Sequence, residues 1–107
     1  MKVKVYQATI ETDYKFRPYE DAEGKLSKGD YKCVFDGEVD DRKDYPYDGG
    51  RDKAEYLFEV LNIGNRPNGY KGHSLSVSDI VEVDGDTFYC NDFGWVQLDT
   101  ETWEEIG

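Results

Sequence analysis

The sequence predicts an α+β fold, a mostly antiparallel sheet with one amphipathic helix packed on a face. Three observations predict it. Val, Ile, Tyr, Thr and Phe gather in short runs bounded by turn residues. One stretch, residues 51–62, repeats its apolar residues at helical spacing. An Asp-Gly pair at 84–85 joins two such runs as a tight hairpin. At 107 residues the chain suffices for one modest core, so residues 1–107 read as a single domain.

The first strand is expected over Lys2 to Ile10, where Val3 and Val5 share one face and Tyr6, Ala8 and Ile10 the other. That switch implies a bulge, or burial on both faces. From Asp13 to Tyr19 the chain reads as extended up to Pro18, which cannot donate to a central ladder. Glu20 to Gly29 reads as an ordered loop with one helical turn. A second strand is expected over Asp30 to Gly37, with Tyr31, Cys33 and Phe35 on one face. An acidic loop, Glu38 to Gly50, leads to the helix, Arg51 to Asn62. There Ala54, Leu57, Phe58 and Leu61 form the stripe expected to face the sheet. Asp48 or a following glycine is the candidate N-cap, and Gly64 the candidate left-handed C-cap. After an Asn-Gly turn at 68–69 come the paired strands Ile80 to Val83 and Thr87 to Asn91, with Val81 opposite Phe88 and Ile80 opposite Tyr89. Asp92-Phe93-Gly94 turns into a last strand, Trp95 to Leu98.

Charge is unevenly spread. Net charge is −11, yet residues 1–35 carry seven basic and six acidic side chains. Between Asp79 and Gly107 stand nine carboxylates and no Lys or Arg. Such a surface repels phosphate backbones and favours a protein partner with a basic surface, which argues against direct nucleic-acid binding. The N-terminal run MKVKVYQATIE has no uninterrupted apolar segment, so neither a signal peptide nor a membrane span is read there. Cys33 and Cys90 form no C-x-x-C pair and read as small buried hydrophobes in a reducing cytoplasm.

From Phe58 to Leu98, a helix, a turn, GHSLSVSDIVEV, a hairpin and YCNDFGW together resemble the YodL-like domain family. Upstream, Tyr31-Lys32-Cys33-Val34-Phe35-Asp36-Gly37-Glu38 is similar to that family's Tyr-x-x-Val-aromatic-x-Gly strand. Ser-Leu-Ser-Val-Ser-Asp is the most specific part, and the resemblance covers roughly the last two-thirds of the chain. Trp95 stands where a Phe is expected, and Asn91-Asp92 where Asp-Ser is common; both keep size and turn chemistry. The resemblance implies a small bacterial protein or a module on mobile elements of gut-dwelling Firmicutes. It carries no established enzymatic activity and therefore offers no catalytic residues to carry over.

Three constellations invite chemistry. His73, Ser74 and Asp79 suggest a nucleophile–base–acid set, but neighbours on an extended chain diverge. The plainer reading gives the hydroxyls and Asp79 to backbone donors at a bend. Asp36, Glu38, Asp40 and Asp41 suggest a calcium loop, yet the sixth position is Asp41 where Gly is needed and the twelfth is Tyr47. The glycines at 69, 72, 85 and 94 match no phosphate-cradling motif. The expectation is therefore a non-enzymatic, acidic, cytoplasmic protein-binding accessory module of a bacterial mobile element, with no cofactor, metal or membrane. Two alternatives stand beside it: an acidic DNA mimic that inhibits a nuclease or restriction system, and a hydrolase using His73 with Ser74 or Ser76. Candidate partner contacts are Phe93, Trp95, Trp103, Glu101, Glu104 and Glu105. Phe93 and Trp95 also read as core aromatics, and Trp103 as either core or contact.

Overall fold

The computed structural model describes residues 1–9, 12–40, 47, 49–62 and 66–106. Ile10, Asp41, Asp48 and Gly64, each of which carries an expectation above, lie outside them. The elements in order are β1 (Lys2–Ala8), α1 (Tyr19–Ala22), a 3-10 turn (Lys28–Asp30), β2 (Tyr31–Glu38), α2 (Gly50–Asn62), β3 (Ile80–Val83), β4 (Asp86–Cys90) and β5 (Trp95–Leu98). They build one five-stranded sheet in the order β2-β1-β3-β4-β5, every pairing antiparallel. The fold is α+β. Both β2 and β3 run antiparallel to β1, so they are parallel to each other with β1 between them. A chain joining such strands must cross over the sheet, and α2 lies in that crossover.

Each face of the sheet is covered. On the α2 side, Val3, Val5, Val81, Val83, Phe88 and Trp95 form one apolar cluster with Ala54, Tyr56, Leu57 and Leu61. On the other, Ala8, Ile80, Tyr89 and Leu98 pack with Tyr14, Tyr19, Ala22, Tyr31 and Trp103. The switch after Val5 therefore reflects burial on both faces, and β1 itself alternates regularly. The extra residue sits in β2: Val5 pairs with Phe35 while Tyr6 pairs with Cys33, leaving Val34 over. This slip corrects the expected face of β2. Tyr31 joins one cluster, Val34 and Phe35 the other, and Cys33 is exposed rather than buried.

The helix needs a second correction. Ala54, Leu57 and Leu61 are fully buried, but Phe58 is 38% exposed and Tyr56 is buried in its place. Phe58 stands at the margin of the stripe, edge-on to Trp95 of the last strand at 6.4 Å between ring centroids. Tyr56 packs edge-on to Tyr47 and donates its hydroxyl to the Asp40 carbonyl at 3.2 Å.

The β3–β4 hairpin has the expected register, with Asp84 and Gly85 at φ 48° and 91° as a two-residue turn of that hand requires. Residues 12–17 are not extended. Successive turns coil them, and Phe16, at φ 65°, donates its N–H to Ser78 Oγ at 2.9 Å. After β5, Asp99 Oδ1 accepts the N–H groups of Glu101 and Thr102 at 2.9 Å each. The chain then folds back, bridging Leu98 to Glu105 along the outer edge of β5. Among the described residues no helix is long and apolar enough to cross a membrane.

Candidate functional site

The Ser-rich segment ahead of β3 is tied to the sheet by two buried polar side chains, Gln7 and Asp79. Gln7 sits on the α2 face of β1 and pairs with the backbone of His73 as a strand would. Its Oε1 accepts the His73 N–H at 3.1 Å, and its Nε2 donates to the His73 carbonyl at 3.0 Å. The same amide donates to Asp79 Oδ2 at 3.0 Å, and that oxygen also accepts the Ser76 N–H at 2.8 Å. Ser78 is wholly buried at φ 82°; its carbonyl accepts from the Tyr31 hydroxyl at 2.8 Å. Asp79 thus accepts hydrogen bonds at the bend, as the Ser-Asp step suggests.

Gly72 has a steric reason. A Cβ there would lie 2.2 Å from Gln7 Oε1 and 2.8 Å from Val34 Cγ2. Gly72→Ala is expected to cost about 1–3 kcal/mol in urea unfolding, as overpacking usually does. A change below about 0.5 kcal/mol would mean that the segment docks differently.

His73 and the serines do not assemble into a relay. The His73 Nδ1 lies 2.6 Å from the Ser74 carbonyl and 3.3 Å from the Gln7 amide nitrogen, so the ring is engaged by the loop and by β1. Ser74 Oγ accepts from Arg66 Nη2 at 2.8 Å, and Ser76 Oγ donates to the Ser74 carbonyl at 3.1 Å. Both hydroxyls serve the loop. Burial pushes the Cys90 thiol up to about 12, with Asp79 and Glu55 adding to the effect, so it stays protonated. Among the described residues no three His, Cys, Asp or Glu side chains converge as metal ligands would.

Burial raises the Asp79 carboxyl from 3.8 to about 6, against the pull of the Ser76 N–H, His73 and Gln7. A carboxyl raised by folding binds its proton more tightly in the native state. Its contribution to stability is full below about pH 4 and is lost as pH rises through about 6. Asp79→Asn keeps a neutral group there at every pH. The stability difference between variant and native protein should therefore move in the variant's favour between pH 4 and 7, by up to about 3 kcal/mol. Parallel unfolding curves across that range would contradict this.

The candidate contact residues divide. Trp95 and Trp103 are 7% and 4% exposed and belong to the core. The Trp95 indole donates to Glu55 Oε1 at 2.7 Å. Phe93, at the β4–β5 turn, is 91% exposed, and Glu101, Glu104 and Glu105 lie at the surface. The fold adds carboxylates that lie far away in sequence. Asn91 Oδ1 accepts the N–H groups of both Tyr19 and Asp92 at 3.0 Å, which fastens the start of α1 to the β4–β5 turn. Burial raises the Tyr19 hydroxyl, and Glu105, Glu23 and Glu104 raise it further, so these three carboxylates share its surroundings.

The family model for the YodL-like domain matches residues 2–100. The chain belongs to the YodL-like domain family. The match takes in β1 and the first loop as well as the segments that carry the resemblance in sequence. No curated protein and no solved structure matches the chain. In this YodL-like domain, Gly72 to Asp79 is the stretch that Gln7 clasps, so the most specific run of the sequence is a docking segment for β1. Sequence reasoning missed Gln7, the place of Glu23 just after α1 and the exposure of Phe58. No spacing pattern signals them, because each depends on contacts between distant segments.

Proposed function

We propose that this YodL-like domain is a non-enzymatic protein-binding module, an accessory of a bacterial mobile element working in the cytoplasm. Its partner presents a basic surface. One observation supports this reading above the rest: Glu23, Glu104 and Glu105, from two distant segments, gather about Tyr19 where α1 is fastened to the turn that bears Phe93. An exposed aromatic on a surface that also carries clustered carboxylates suits a contact in which a ring anchors and charge steers.

The field of such a rim reaches about 8 Å at physiological ionic strength. Association with the partner should therefore slow steeply with added salt. The test is a variant carrying Glu23→Lys, Glu104→Lys and Glu105→Lys, used beside the native chain as bait in lysate of the host. Proteins retained by the native chain and lost by the variant are the expected result. Retention of the same set by both, with salt-independent kinetics, would refute the assignment of this rim.

A further inference from the structure

On a chain of net charge −11, one groove has the opposite sign. It measures about 360 Å³ and is lined by Lys15, Lys32, Lys71 and His73, with Gln7 and Gly72 in its wall. The lysines come from three separate segments: the coiled loop after β1, strand β2, and the loop after α2. Their convergence is built by the fold. Lys71 is fixed by its N–H donating to the Val34 carbonyl at 2.8 Å, at the bulge of β2. Lys15 donates to the Ala8 carbonyl at 2.7 Å, which turns its ammonium back over the end of β1. Gly72 and His73 are held by Gln7, as described above. Lys32 and Lys71 are exposed, and among the described residues neither forms an ion pair. The nearby carboxylate of Asp79 lies buried behind the Gln7 amide, with Oδ2 committed to Gln7 and Ser76.

We propose that this groove binds a small ligand bearing a phosphoryl group. Ammonium groups act as point charges without a preferred plane. Several converging from different directions suit a tetrahedral group with three terminal oxygens better than a flat carboxylate, which an Arg fork would match. A long polyanion is excluded by the same charge balance, because its flanks would meet the acidic remainder of the surface. The ring of Phe16, 55% exposed and 5.7 Å from the His73 ring, stands beside the site for whatever the phosphoryl group is attached to. This inference is independent of the acidic rim and of any partner bound there.

The test uses the full chain labelled with 15N, titrated with inorganic phosphate, phenyl phosphate and acetate against sodium chloride of matched ionic strength. Saturable shifts centred on the amides of Lys32, Gly72 and His73 are expected with both phosphates. They should weaken about tenfold or more in the Lys32→Gln/Lys71→Gln variant, which loses two charged contacts. Both side chains are exposed, so an unchanged melting curve would show that the variant is folded. Tighter binding of phenyl phosphate would assign an organic phosphoester, and equal binding the free phosphate ion. Three results would overturn the proposal: equal shifts with chloride, acetate bound as tightly as phosphate, or shifts spread equally to Lys25 and Lys28. Saturable binding of a DNA duplex at the same residues would overturn the restriction to small ligands.

Discussion

Truncating Trp103 to Ala should cost about 3–5 kcal/mol, the range for emptying a large aromatic core site. Its ring is 4% exposed and stands edge-on to Tyr6 and Tyr31, at 5.3 and 5.2 Å between centroids. The Lys28 ammonium closes over it at 5.5 Å and donates to the Thr100 carbonyl at 3.2 Å. Contacts of this kind add to burial: each edge-to-face pair contributes about 0.5–1.5 kcal/mol beyond its area. Urea unfolding followed at Trp95 would measure the loss. With a slope of about 1–3 kcal/mol per molar urea, the midpoint should fall by more than about 1 M. A drop of less than about 0.3 M would mean that the ring projects from the surface after all.

The second large effect separates two neighbours on one helix. Leu57→Ala should cost about 2–5 kcal/mol, whereas Phe58→Ala should cost less, about 1–2 kcal/mol for a partly buried ring with one edge-on partner. Leu57 is fully enclosed between α2 and the sheet. Phe58 is 38% exposed and leans on the margin of Trp95. Equal losses for the two variants, measured by urea unfolding under identical conditions, would show that the helix is rotated about its axis from the orientation described here. The pair is informative because helical periodicity alone ranks these two residues alike.

That example marks how far the sequence reaches. Period-two runs and turn residues located all five strands, and the Asp84-Gly85 pair set the register of β3 against β4, because those signals are local. The phase slip at Val34 was not legible. A bulge is defined by two strands together, and β2 alone gives no sign that one residue will go unpaired. Trp103 could be read either way for a similar reason: its burial depends on Tyr6, Tyr31 and Lys28, all far away in the chain. The acidic character of the last segment was plain from composition. Its meeting with α1 was not, since that rests on contacts between distant segments: Asn91 accepts from Tyr19, and the Tyr89 hydroxyl donates to the Arg17 carbonyl. Asp79 fell between these cases. The Ser-Asp step announced a bend, but nothing announced that Gln7 would supply the second donor and that both would be sealed from solvent.

The place of β1 between β2 and β3 bears on how the chain must be made. Synthesis delivers β1 and β2 first, and they can form a hairpin as soon as both are available. The partner for the other side of β1 arrives only when Ile80 to Val83 has been added, after the whole of α2 and the clasped Ser-rich segment. Throughout that interval a strand carrying Val3 and Val5 on one face and Tyr6 and Ala8 on the other has an unpaired hydrogen-bonding side. Such an edge is a template for any other nascent strand nearby. Chains truncated before Ile80 should therefore be the ones that aggregate, and those extending past Leu98 the ones that survive in the lysate.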